Sequence, residues 1–512
     1  MGSYETRKRI SRLLADERGG NRKPFGSGHA LGIIYPNEYR IGMSNLGHQI
    51  IYSIVNSDPG WSCERFYTDF DPPLSMENQQ APCGFNILAF SIAYELDYLN
   101  ALDFLERAGI PLRASDRASA CPLIVAAGVC ISVNRHPIYE FADVCLHGEG
   151  EELVKTLMRA YDEHSGGRRR LLESLAEKSG FEITAGARKS FGMDMPDIAG
   201  GRLPYVERVF VKRIEDHRCC SVIVTPHTEF ASMCLVEIAR GCPYNCAFCF
   251  VGHNLNPCRF VSARHVKEWI SGSLALTNRF GLIASAVGSH PEIDEICRYC
   301  DEQGVHVSCS SLRAEDVTPA MLGTLARGGA QTLTIAPEAG SPRLRRLLGK
   351  ARLPDERIDW VVEQAVKAGI PSLKMYFMAG LPTETEEDIG AIAQLVRRVQ
   401  KVFVSVSRPQ GRIGSLMINV GIFVPKPGTP LGKYAIMPGG QLKRRLALLK
   451  KQLGSIGSLR YQPPSLMHAQ AQAILASGDL RAAGFLLAAL KGGWRSALRE
   501  CPLFTNAFRE ML

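Results

Sequence analysis

Stretches of wholly apolar residues alternate along this chain with stretches in which apolar residues recur every three or four positions. ALGIIYP (30–36), FNILAFSI (85–92) and PLIVAAGV (122–129) are apolar throughout, as strands buried on both faces are. The segment LDYLNALDFLERAG (96–109) has the period of an amphipathic helix. This alternation predicts an α/β fold that begins with an open, doubly wound, Rossmann-like domain over residues 29–165.

A second series of the same kind begins near residue 230. Apolar strands are predicted at 235–239, 281–287, 305–312, 332–338, 372–380 and 416–424. Amphipathic helices fill the intervals between them, so that six parallel strand–helix units follow one another. We therefore expect an open, partial (β/α)6 barrel over residues 230–438, with its chemistry at the carboxyl ends of the strands.

The remaining segments carry weaker patterns. Residues 1–28 are polar and basic and predict a frayed arm or a short helix, whereas residues 166–229 are rich in Gly, Pro and charge and predict a linker. Residues 439–512 predict a small helical C-terminal domain. Its basic segment KRRLALLKK (443–451) is more typical of a solvated helix face than of a nucleic-acid site.

Composition narrows the class of protein. The chain has 512 residues, of which 46% are hydrophobic and 22% charged, values that are ordinary for a globular protein of two or three domains. A net charge of +9 is small for this length and does not indicate a nucleic-acid partner. No apolar run approaches the roughly 18–20 residues that cross a bilayer, and the N-terminus lacks a secretory signal. We therefore expect a cytoplasmic protein without a membrane span.

The sixteen cysteines matter through their spacing more than through their number. RGCPYNCAFCF (240–250) directly follows the first predicted barrel strand and contains Cys242, Cys246 and Cys249. Three thiolates on one short loop can ligate three irons of a [4Fe–4S] cluster. The fourth iron then keeps an open position for a substrate or a cofactor.

Two simpler interpretations compete with the cluster. The three cysteines could bind a structural zinc ion, with His253 or Cys258 as the fourth ligand, in a non-catalytic zinc-stabilised binding module. They could also be small apolar core residues. The end of a barrel strand is a place where a core cysteine is not needed, which favours the cluster.

The CxxxCxxC spacing, with Phe248 just before the last cysteine, resembles the signature of the radical S-adenosylmethionine (SAM) superfamily. Later segments resemble the same superfamily in the expected order: SSLRAEDVT (310–318), TIAPEAGSPRLRRLLGK (334–350), KMYFMAGLPTETEEDI (374–389) and FVPKPGTPL (423–431). The likeness covers about residues 230–435. It implies a [4Fe–4S] cluster on the three cysteines and SAM as the second cofactor.

The resemblance also implies roles for individual residues. Phe248 would pack near the adenine, Ser310 or Ser311 would bond the ribose, Glu338 would accept hydrogen bonds from the ribose or the methionine amine, and Arg313 would pair with the methionine carboxylate. Ordinary core packing of Phe248 and barrel-mouth ion pairs of Glu338 and Arg313 are the alternatives. The superfamily's glycine-rich GGE-type segment is replaced here by SAVGSHPE (285–292). No catalytic residue follows from the sequence.

Further cysteines raise the question of an auxiliary cluster. Cys297 and Cys300 form a CxxC pair, with Cys309 close behind them, and Cys219 and Cys220 precede the barrel. A CxxC pair within a helix is more often buried packing than a ligand set.

The N-terminal domain resembles the cobalamin-binding domain of the B12-associated branch of the superfamily, and HGEGEEL (147–153) is similar to the turn that closes that domain. Open α/β sheets bind ligands outside the carboxyl ends of their strands. Here, however, the turn after the first strand reads YRIGMSNLGHQ (39–49), without the DxHxxG of histidine-ligated cobalamin. His48 comes too late to replace that ligand. The domain either binds cobalamin without a histidine or serves as a scaffold.

The resemblance implies an enzyme that cleaves SAM reductively to a 5′-deoxyadenosyl radical. With cobalamin bound, the expected reaction is methylation of an unactivated carbon, which would make the protein a methyltransferase. Without cobalamin, it is another C–H functionalisation or a rearrangement. The resemblance also implies an electron donor such as flavodoxin or ferredoxin. The substrate does not follow from the sequence.

Overall fold

The computed structural model describes residues 3–26, 28–196, 198, 203–309, 311–411 and 414–500. These residues form two compact units. The first contains the described residues up to Met233 together with those from Ile474 onward, and the second contains Cys234–Ala473. No helix in the described part of the chain is long and apolar enough to cross a membrane.

Within the described residues, the first unit contains a six-stranded sheet and a two-stranded ribbon. Its strands are β1 (Arg18–Gly19), β2 (His29–Tyr35), β3 (Trp61–Tyr67), β4 (Ile87–Ser91), β5 (Leu123–Ala127), β6 (Val144–Leu146), β7 (Phe181–Ile183) and β8 (Ile223–Val224). The sheet order is β3–β2–β4–β5–β6–β7, and only β7 runs antiparallel to its neighbour. β1 and β8 form the antiparallel ribbon.

Helices lie between the strands of this sheet. They are α1 (Ser3–Ala15), α2 (Tyr39–Gly42), α3 (Leu46–Ser57), α4 (Asp97–Arg107), α5 (Val129–Asn134), α6 (Gly150–His164), α7 (Arg168–Ala176) and α8 (Ala185–Ser190). Apolar side chains of the strands and of α1, α3, α6 and α7 form one buried core. The predicted doubly wound α/β domain is confirmed, because the sheet is parallel except at β7 and helices alternate with its strands along the chain.

The structure differs from the prediction at the borders of this domain. Residues 3–15 form a helix, which agrees with the short helix that was one of the two expectations for this segment, and its Ile10 is fully buried in the core. The region predicted as a linker contains α7, β7 and α8, and β7 extends the sheet. The edge strand β3 was not predicted, because Glu64 and Arg65 interrupt its apolar pattern.

The second unit contains a run of parallel strands. Its strands are β9 (Cys234–Glu237), β10 (Ala239–Arg240), β11 (Arg259–Phe260), β12 (Arg279–Ile283), β13 (His306–Cys309), β14 (Thr332–Glu338), β15 (Ser372–Ala379), β16 (Ser415–Ile422) and β17 (Leu459–Gln462). Parallel pairing gives the orders β9–β12–β13 and β14–β15–β16–β17. A parallel bridge between Leu312 and Ile335 joins the two runs, and the Leu312 amide donates to the Thr334 carbonyl over 2.9 Å.

Helices follow the strands of the second unit, and the last of them ends within the first unit. They are α9 (Phe250–Asn254), α10 (Ala263–Ser271), α11 (Ile293–Glu302), α12 (Pro319–Arg327), α13 (Pro342–Leu347), α14 (Asp355–Ala368), α15 (Glu386–Ser407), α16 (Gly439–Leu453) and α17 (Leu466–Ser477). α15, which follows β15, begins with a capping box in which Thr385 and Asp388 exchange hydrogen bonds. The open, partial (β/α) barrel predicted from the sequence is therefore confirmed.

The C-terminal region contains more than the predicted helices. β17 lies in the segment expected to be helical and adds a further parallel strand beside β16. The last described helix, α18 (Ala482–Glu500), belongs to the first unit, where it contacts α4. The side-chain amide of Asn134 donates to the carbonyls of Leu475 and Gly478, both over 2.8 Å. These bonds attach the residues just before α18 to the end of α5.

Candidate metal and cofactor site

The cysteine loop, residues 241–249, leaves the carboxyl end of the first barrel strand after the short strand β10 and leads into α9. Gly241 has a positive φ of 82°, and a Cβ there would lie 2.7 Å from the carbonyl oxygen of Leu255. A glycine is needed at this position because both the backbone angle and the space exclude a side chain. The loop therefore turns back over the end of α9.

Two other segments hold the middle of the cysteine loop. The Ala247 amide donates to the carbonyl of Leu348 over 3.1 Å, and the Ala247 carbonyl accepts from the Leu431 amide over 3.0 Å. Gly349 lies against the backbone of Asn245 and Cys246. Two segments from different parts of the barrel thus hold the loop through its backbone.

Phe248 packs against an apolar cluster formed by residues from these same segments. Its members are Ala339, Leu344, Leu348, Leu381, Phe423 and Leu431, all buried, with Ala247, Leu347 and Met378 partly buried beside them. Phe248 is itself partly buried. The side chain predicted to pack near an adenine therefore forms part of an apolar wall next to the cysteines.

The three thiols lie close enough to influence one another. Cys246 is buried, whereas Cys242 and Cys249 are half-buried. Burial raises the pKa of the Cys242 thiol, and the neighbouring Cys249 and Cys246 raise it further, while Arg313 lowers it. A nearby cation is the feature that stabilises a thiolate, the form that ligates iron.

The described residues contain no group of three or more His, Cys, Asp or Glu side chains that converges as a single metal ion requires. Four ligands of one zinc ion lie about 3.8 Å apart, given Zn–S bonds of about 2.3 Å. Each cysteine of a cubane cluster binds a different iron, so its cysteines stand further apart. The three thiols of the loop are the kind of donor that ligates the irons of a cluster, one thiol to each iron.

The two residues considered as a fourth zinc ligand have other surroundings. The Nε2 atom of His253 lies 3.1 Å from the carbonyl oxygen of Cys246. Cys258 is half-buried in the segment that follows α9, and burial raises the pKa of its thiol. Neither arrangement supports a tetrahedral zinc site.

Arg313 is the cation at the cysteine loop. Its Nη1 atom donates to the Cys246 sulfur over 3.2 Å, and its Nη2 atom donates to Glu315 over 2.7 Å. The guanidinium also lies over the ring of Tyr244, with its carbon 3.7 Å from the ring centroid. The Tyr244 hydroxyl in turn donates to Asp316 over 2.5 Å. The residue predicted to pair with a carboxylate is thus held directly beside a predicted iron ligand.

Glu338 ends β14 at the carboxyl edge of the barrel. Its φ of +67° is in the left-handed region, and the β14–β15 pairing shifts register between Ile335 and Glu338. Lys350, a buried residue, donates to Oε1 of Glu338 over 3.1 Å and also to the Ala336 carbonyl. A lysine at this depth needs a carboxylate partner, so the two side chains fix each other.

The serines predicted to bond the ribose are only partly covered by the structure. Ser310 lies outside the described residues, and Ser311 is exposed.

The cysteines considered for an auxiliary cluster are packed in the protein. Burial raises the pKa of Cys297 to about 11 and those of Cys300 and Cys309 to about 12, and Cys219 and Cys220 are buried in the first unit. These thiols have the surroundings of core residues.

His48 in the first unit has the surroundings of a core residue as well. It is fully buried, its Nε2 atom lies 3.3 Å from the Tyr67 hydroxyl, and burial lowers its pKa to about 3. The turn before it caps α3 through Asn45, whose side chain accepts from the His48 amide. The donor set after β2 therefore does not fit a histidine-ligated cobalamin.

The glycine in the turn that closes this domain packs against another segment of the chain. Gly148 has a φ of +128°, and a Cβ there would lie 2.2 Å from the carbonyl oxygen of Val209. Val211, two residues further, donates its amide to the Glu149 carboxylate over 2.8 Å. The GEGE segment therefore contacts the backbone of residues 209–211 through Gly148 and Glu149.

Three residues of the site were not predicted from the sequence. Lys350 is the last residue of a segment already compared with the superfamily, and Tyr244 stands between two of the cysteines, so both had a positional signal. Glu315 also lies in a compared segment, 310–318, but its pairing with Arg313 depends on the local turn after the third barrel strand.

An open barrel that presents three cysteines at the carboxyl end of its first strand defines the class of enzymes that generate radicals at an iron–sulfur cluster. The family model described as "Radical SAM superfamily" matches residues 236–396, and the model described as "Radical SAM proteins, N-terminal" matches residues 47–183. The chain belongs to the radical SAM superfamily and is a radical SAM enzyme.

Individual relatives share its length or its fold. "Uncharacterized protein MJ0966" of Methanocaldococcus jannaschii is 28% identical over 459 residues, which are 87% of this chain and 88% of that protein. The radical SAM methyltransferase TsrM from Kitasatospora setae, in a structure with cobalamin and a [4Fe–4S] cluster bound, has a TM-score of 0.57 at 12% identity and covers 94% of this chain and 99% of its own. The cobalamin-dependent SAM radical enzyme OxsB has a TM-score of 0.51 at 13% identity, over 94% and 73% of the two chains. The likeness to these two enzymes is one of fold.

Proposed function

We propose that this enzyme cleaves SAM reductively at a [4Fe–4S] cluster and uses the resulting 5′-deoxyadenosyl radical to functionalise a carbon atom of its substrate. The observation that carries the proposal is the cysteine loop itself, fixed at the carboxyl end of β9 with Arg313 against the sulfur of Cys246. Cys242, Cys246 and Cys249 would each hold one iron. When bound, the cluster supplies one electron and SAM supplies the radical.

The surrounding residues have the properties that this chemistry needs. The apolar side chains beside Phe248 would limit the access of water to the cysteine loop. Limited access of water helps to set the reduction potential of an iron–sulfur cluster and protects a radical from side reactions. Arg313, which donates to the Cys246 sulfur, would offset the negative charge of a ligating thiolate and would pair with a carboxylate such as that of methionine. Glu338, held by Lys350, would accept hydrogen bonds from the ribose or the amine.

Within this activity, we propose methyl transfer to an unactivated carbon, with cobalamin held by the first unit without a histidine ligand. The doubly wound sheet of that unit and the shared fold with TsrM and OxsB support this proposal. Because His48 is fully buried, no imidazole of the turn after β2 would bind cobalt in this proposal.

Two observations favour a second candidate, radical C–H functionalisation or rearrangement without cobalamin. The turn after β2 is built as a helix cap, and the GEGE turn is in contact with the chain's own backbone at Val209. Both features are also what a domain retained as a scaffold would show.

The first experiment tests radical generation. We expect anaerobically reconstituted protein to bind four irons and four sulfides and to form 5′-deoxyadenosine from SAM with dithionite. Replacement of Cys242, Cys246 and Cys249 by alanine should abolish both results. Cys258→Ala, a half-buried cysteine close by in sequence, is the matched control and should leave both intact. Undiminished 5′-deoxyadenosine from the triple variant would refute the proposal.

A second experiment separates the two candidates. Reconstitution in the presence of hydroxocobalamin should give stoichiometric uptake with a corrinoid spectrum if methyl transfer is correct. The spectrum should be unchanged in a His48→Ala variant that remains folded, because the imidazole is buried away from any ligand. Absence of uptake would support the cobalamin-independent candidate.

We also propose the cytoplasm, where thiols remain reduced, as the location of the enzyme.

A further inference from the structure

The parallel strands β14, β15, β16 and β17 form a sheet with two different faces. On one face the side chains are almost fully buried: Leu333, Ile335, Leu373, Met375, Phe377, Leu416, Ile418 and Val420. Helices that connect parallel strands by right-handed crossovers cover the outer face of a barrel, and α16 contacts both β15 and β17. The residues that alternate with the buried ones are half-buried or exposed, and they therefore line the interior side of the open barrel.

Two cations lie in one row across this interior side. Lys374 on β15 is in register with Met417 on β16, and Met417 is in register with Arg460 on β17. Residues in register on neighbouring parallel strands point to the same face, and two strand spacings place the two Cα atoms about 10 Å apart. The long side chains of a lysine and an arginine can reach one common ligand over this separation.

Neither cation has a carboxylate partner among the described residues. The Nζ atom of Lys374 lies 4.9 Å from the centroid of the Tyr376 ring, two residues nearer the carboxyl end of β15. Residues 389–478, which include β16 and β17, contain no Asp or Glu. Glu338, which ends β14, is already paired with Lys350. Both positive charges are therefore available to a ligand on the interior side.

An unpartnered polar group lies one row nearer the carboxyl edge. Asn419 on β16 is in register with Tyr376 on β15, two residues beyond the row that contains Lys374. The Oδ1 atom of Asn419 is buried, and it accepts no hydrogen bond within the part of the chain that the structure describes. Buried polar atoms in folded proteins generally have a partner, and a donor group of a bound ligand would supply one here.

We infer that the interior side of β15, β16 and β17 binds a substrate that carries an oxyanion, either a phosphate or a carboxylate. Lys374 and Arg460 hold this oxyanion by charge-assisted hydrogen bonds. A hydroxyl, amine or amide group of the same substrate donates to Asn419, about 7 Å nearer the carboxyl edge, because successive residues on one face of a strand are that far apart.

This arrangement fixes the direction of the substrate in the barrel. Glu338, the carboxylate that we assign to SAM, is in register with Phe377, one position beyond the row of Asn419. The charged end of the substrate therefore lies deeper in the barrel, and its other end points toward the edge where the radical would form. The inference rests on the proposed function, because it assumes that SAM is cleaved at this edge.

The first measurement is the binding of simple oxyanions by the full chain before cluster reconstitution. Titration calorimetry with inorganic phosphate and with succinate, in a buffer without other oxyanions, distinguishes the two kinds of oxyanion. The wild type should bind at least one of them with a Kd of about 1 mM, and Lys374→Met/Arg460→Met should weaken that binding about tenfold or more.

The matched control is Lys443→Met/Arg444→Met, which removes the same two kinds of cation from exposed positions of α16. It should change the affinity less than about twofold. An equal loss in both double variants would overturn the inference, because binding would then follow the net charge of the protein. Binding of neither oxyanion by the wild type would overturn it as well.

The second measurement uses the wild type alone, so that it does not depend on the folding of a variant. Lysines are acetylated with acetic anhydride and the rate at each lysine is followed by mass spectrometry. With the oxyanion at about twice its Kd, the rate at Lys374 should fall about threefold, by the factor 1 + [L]/Kd, and the rate at Lys443 should not change. Equal protection of both lysines, or protection of neither, would contradict a site at Lys374.

Asn419→Leu tests the third group of the site. An amide that serves the fold destabilises the protein when it is removed, whereas an oxygen without a partner has no hydrogen bond to lose. The Tm of Asn419→Leu without ligand should therefore be no lower than that of the wild type. A decrease of more than about 3 °C would exclude Asn419 from the site.

The formation of 5′-deoxyadenosine with dithionite is measured separately, since it tests the proposed function alone. Wild-type protein that forms 5′-deoxyadenosine but binds neither oxyanion would overturn this inference and leave the proposed function intact. Protein that binds an oxyanion at Lys374 but forms no 5′-deoxyadenosine would refute the proposed function and support the oxyanion site.

Discussion

Lys350 holds Glu338 by an ion pair of 3.1 Å between its Nζ atom and Oε1 of the carboxylate. The lysine side chain is 3% exposed, so its charge depends on the pair, and the glutamate has a left-handed φ of +67° at a register shift of β14 against β15. Breaking such a pair leaves an uncompensated charge at the carboxyl edge of the barrel. Lys350 is therefore a positioning residue for the carboxylate that we assign to SAM.

We predict that Lys350→Met raises the KM for SAM about tenfold, with a smaller change in kcat, because Glu338 is no longer held in place. Lys350→Arg keeps the charge and should restore part of the affinity. If Lys350 acts through Glu338, the double variant with Glu338→Gln should be no worse than Glu338→Gln alone. Additive losses in this cycle would contradict a positioning role.

Removal of Arg313 should destabilise the protein even before a cluster is bound. Arg313 pairs with Glu315 and stacks on Tyr244, and its side chain is 13% exposed. Arg313→Ala would leave the carboxylates of Glu315 and Asp316 without their cation, at a cost of about 3 kcal/mol. Thermal unfolding of the protein without cluster measures this loss. Adding Glu315→Gln to Arg313→Ala should recover part of it, and no recovery would refute the electrostatic cause.

The fold was predictable where burial makes a strand apolar throughout, and less so elsewhere. β3 was missed because Glu64 and Arg65 occupy its centre, although Arg65 is fully buried between Glu17 and Glu77. A sequence does not show that distant carboxylates will neutralise such a charge. β17 was missed because LRYQ is short and alternates with polar residues at the edge of the sheet.

The site was predictable to the extent that it is local in sequence. The spacing of Cys242, Cys246 and Cys249 predicted a cluster loop without help from the fold. The contact between Arg313 and Cys246 joins residues 67 positions apart and was not predicted, since the resemblance assigned Arg313 to the methionine carboxylate. The ion pair of Glu338 depends on a lysine twelve residues later that folds back over the strand end.

Glu384 predicts a measurable dependence of stability on pH. Burial raises its pKa to about 7, and its carboxylate accepts from the amides of Gly380 and Leu381. The folded protein therefore retains a proton that the unfolded chain loses near pH 4.5. Stability contributed by this group is lost as the pH rises from about 4.5 to about 7, by about 3 kcal/mol in all. Urea unfolding of Glu384→Gln should lose that slope, and curves parallel to the wild type would contradict it.

Gly252 gives the sharpest steric test of the cysteine loop. It lies in α9, and a Cβ there would be 2.1 Å from the carbonyl oxygen of Tyr244, between the first two cysteines. Gly252→Ala should push the loop away from the helix at a cost of about 2 kcal/mol, because the clash is with backbone and no flexible side chain can yield. Iron retained after anaerobic reconstitution should fall to less than about half, since a displaced loop no longer presents three cysteines in one arrangement. Gly440→Ala in α16, where a Cβ meets no atom within 4 Å, is the matched control and should retain the wild-type iron content. Full iron retention by Gly252→Ala would show that the loop adapts to the side chain, and that its arrangement before metal binding does not determine cluster assembly.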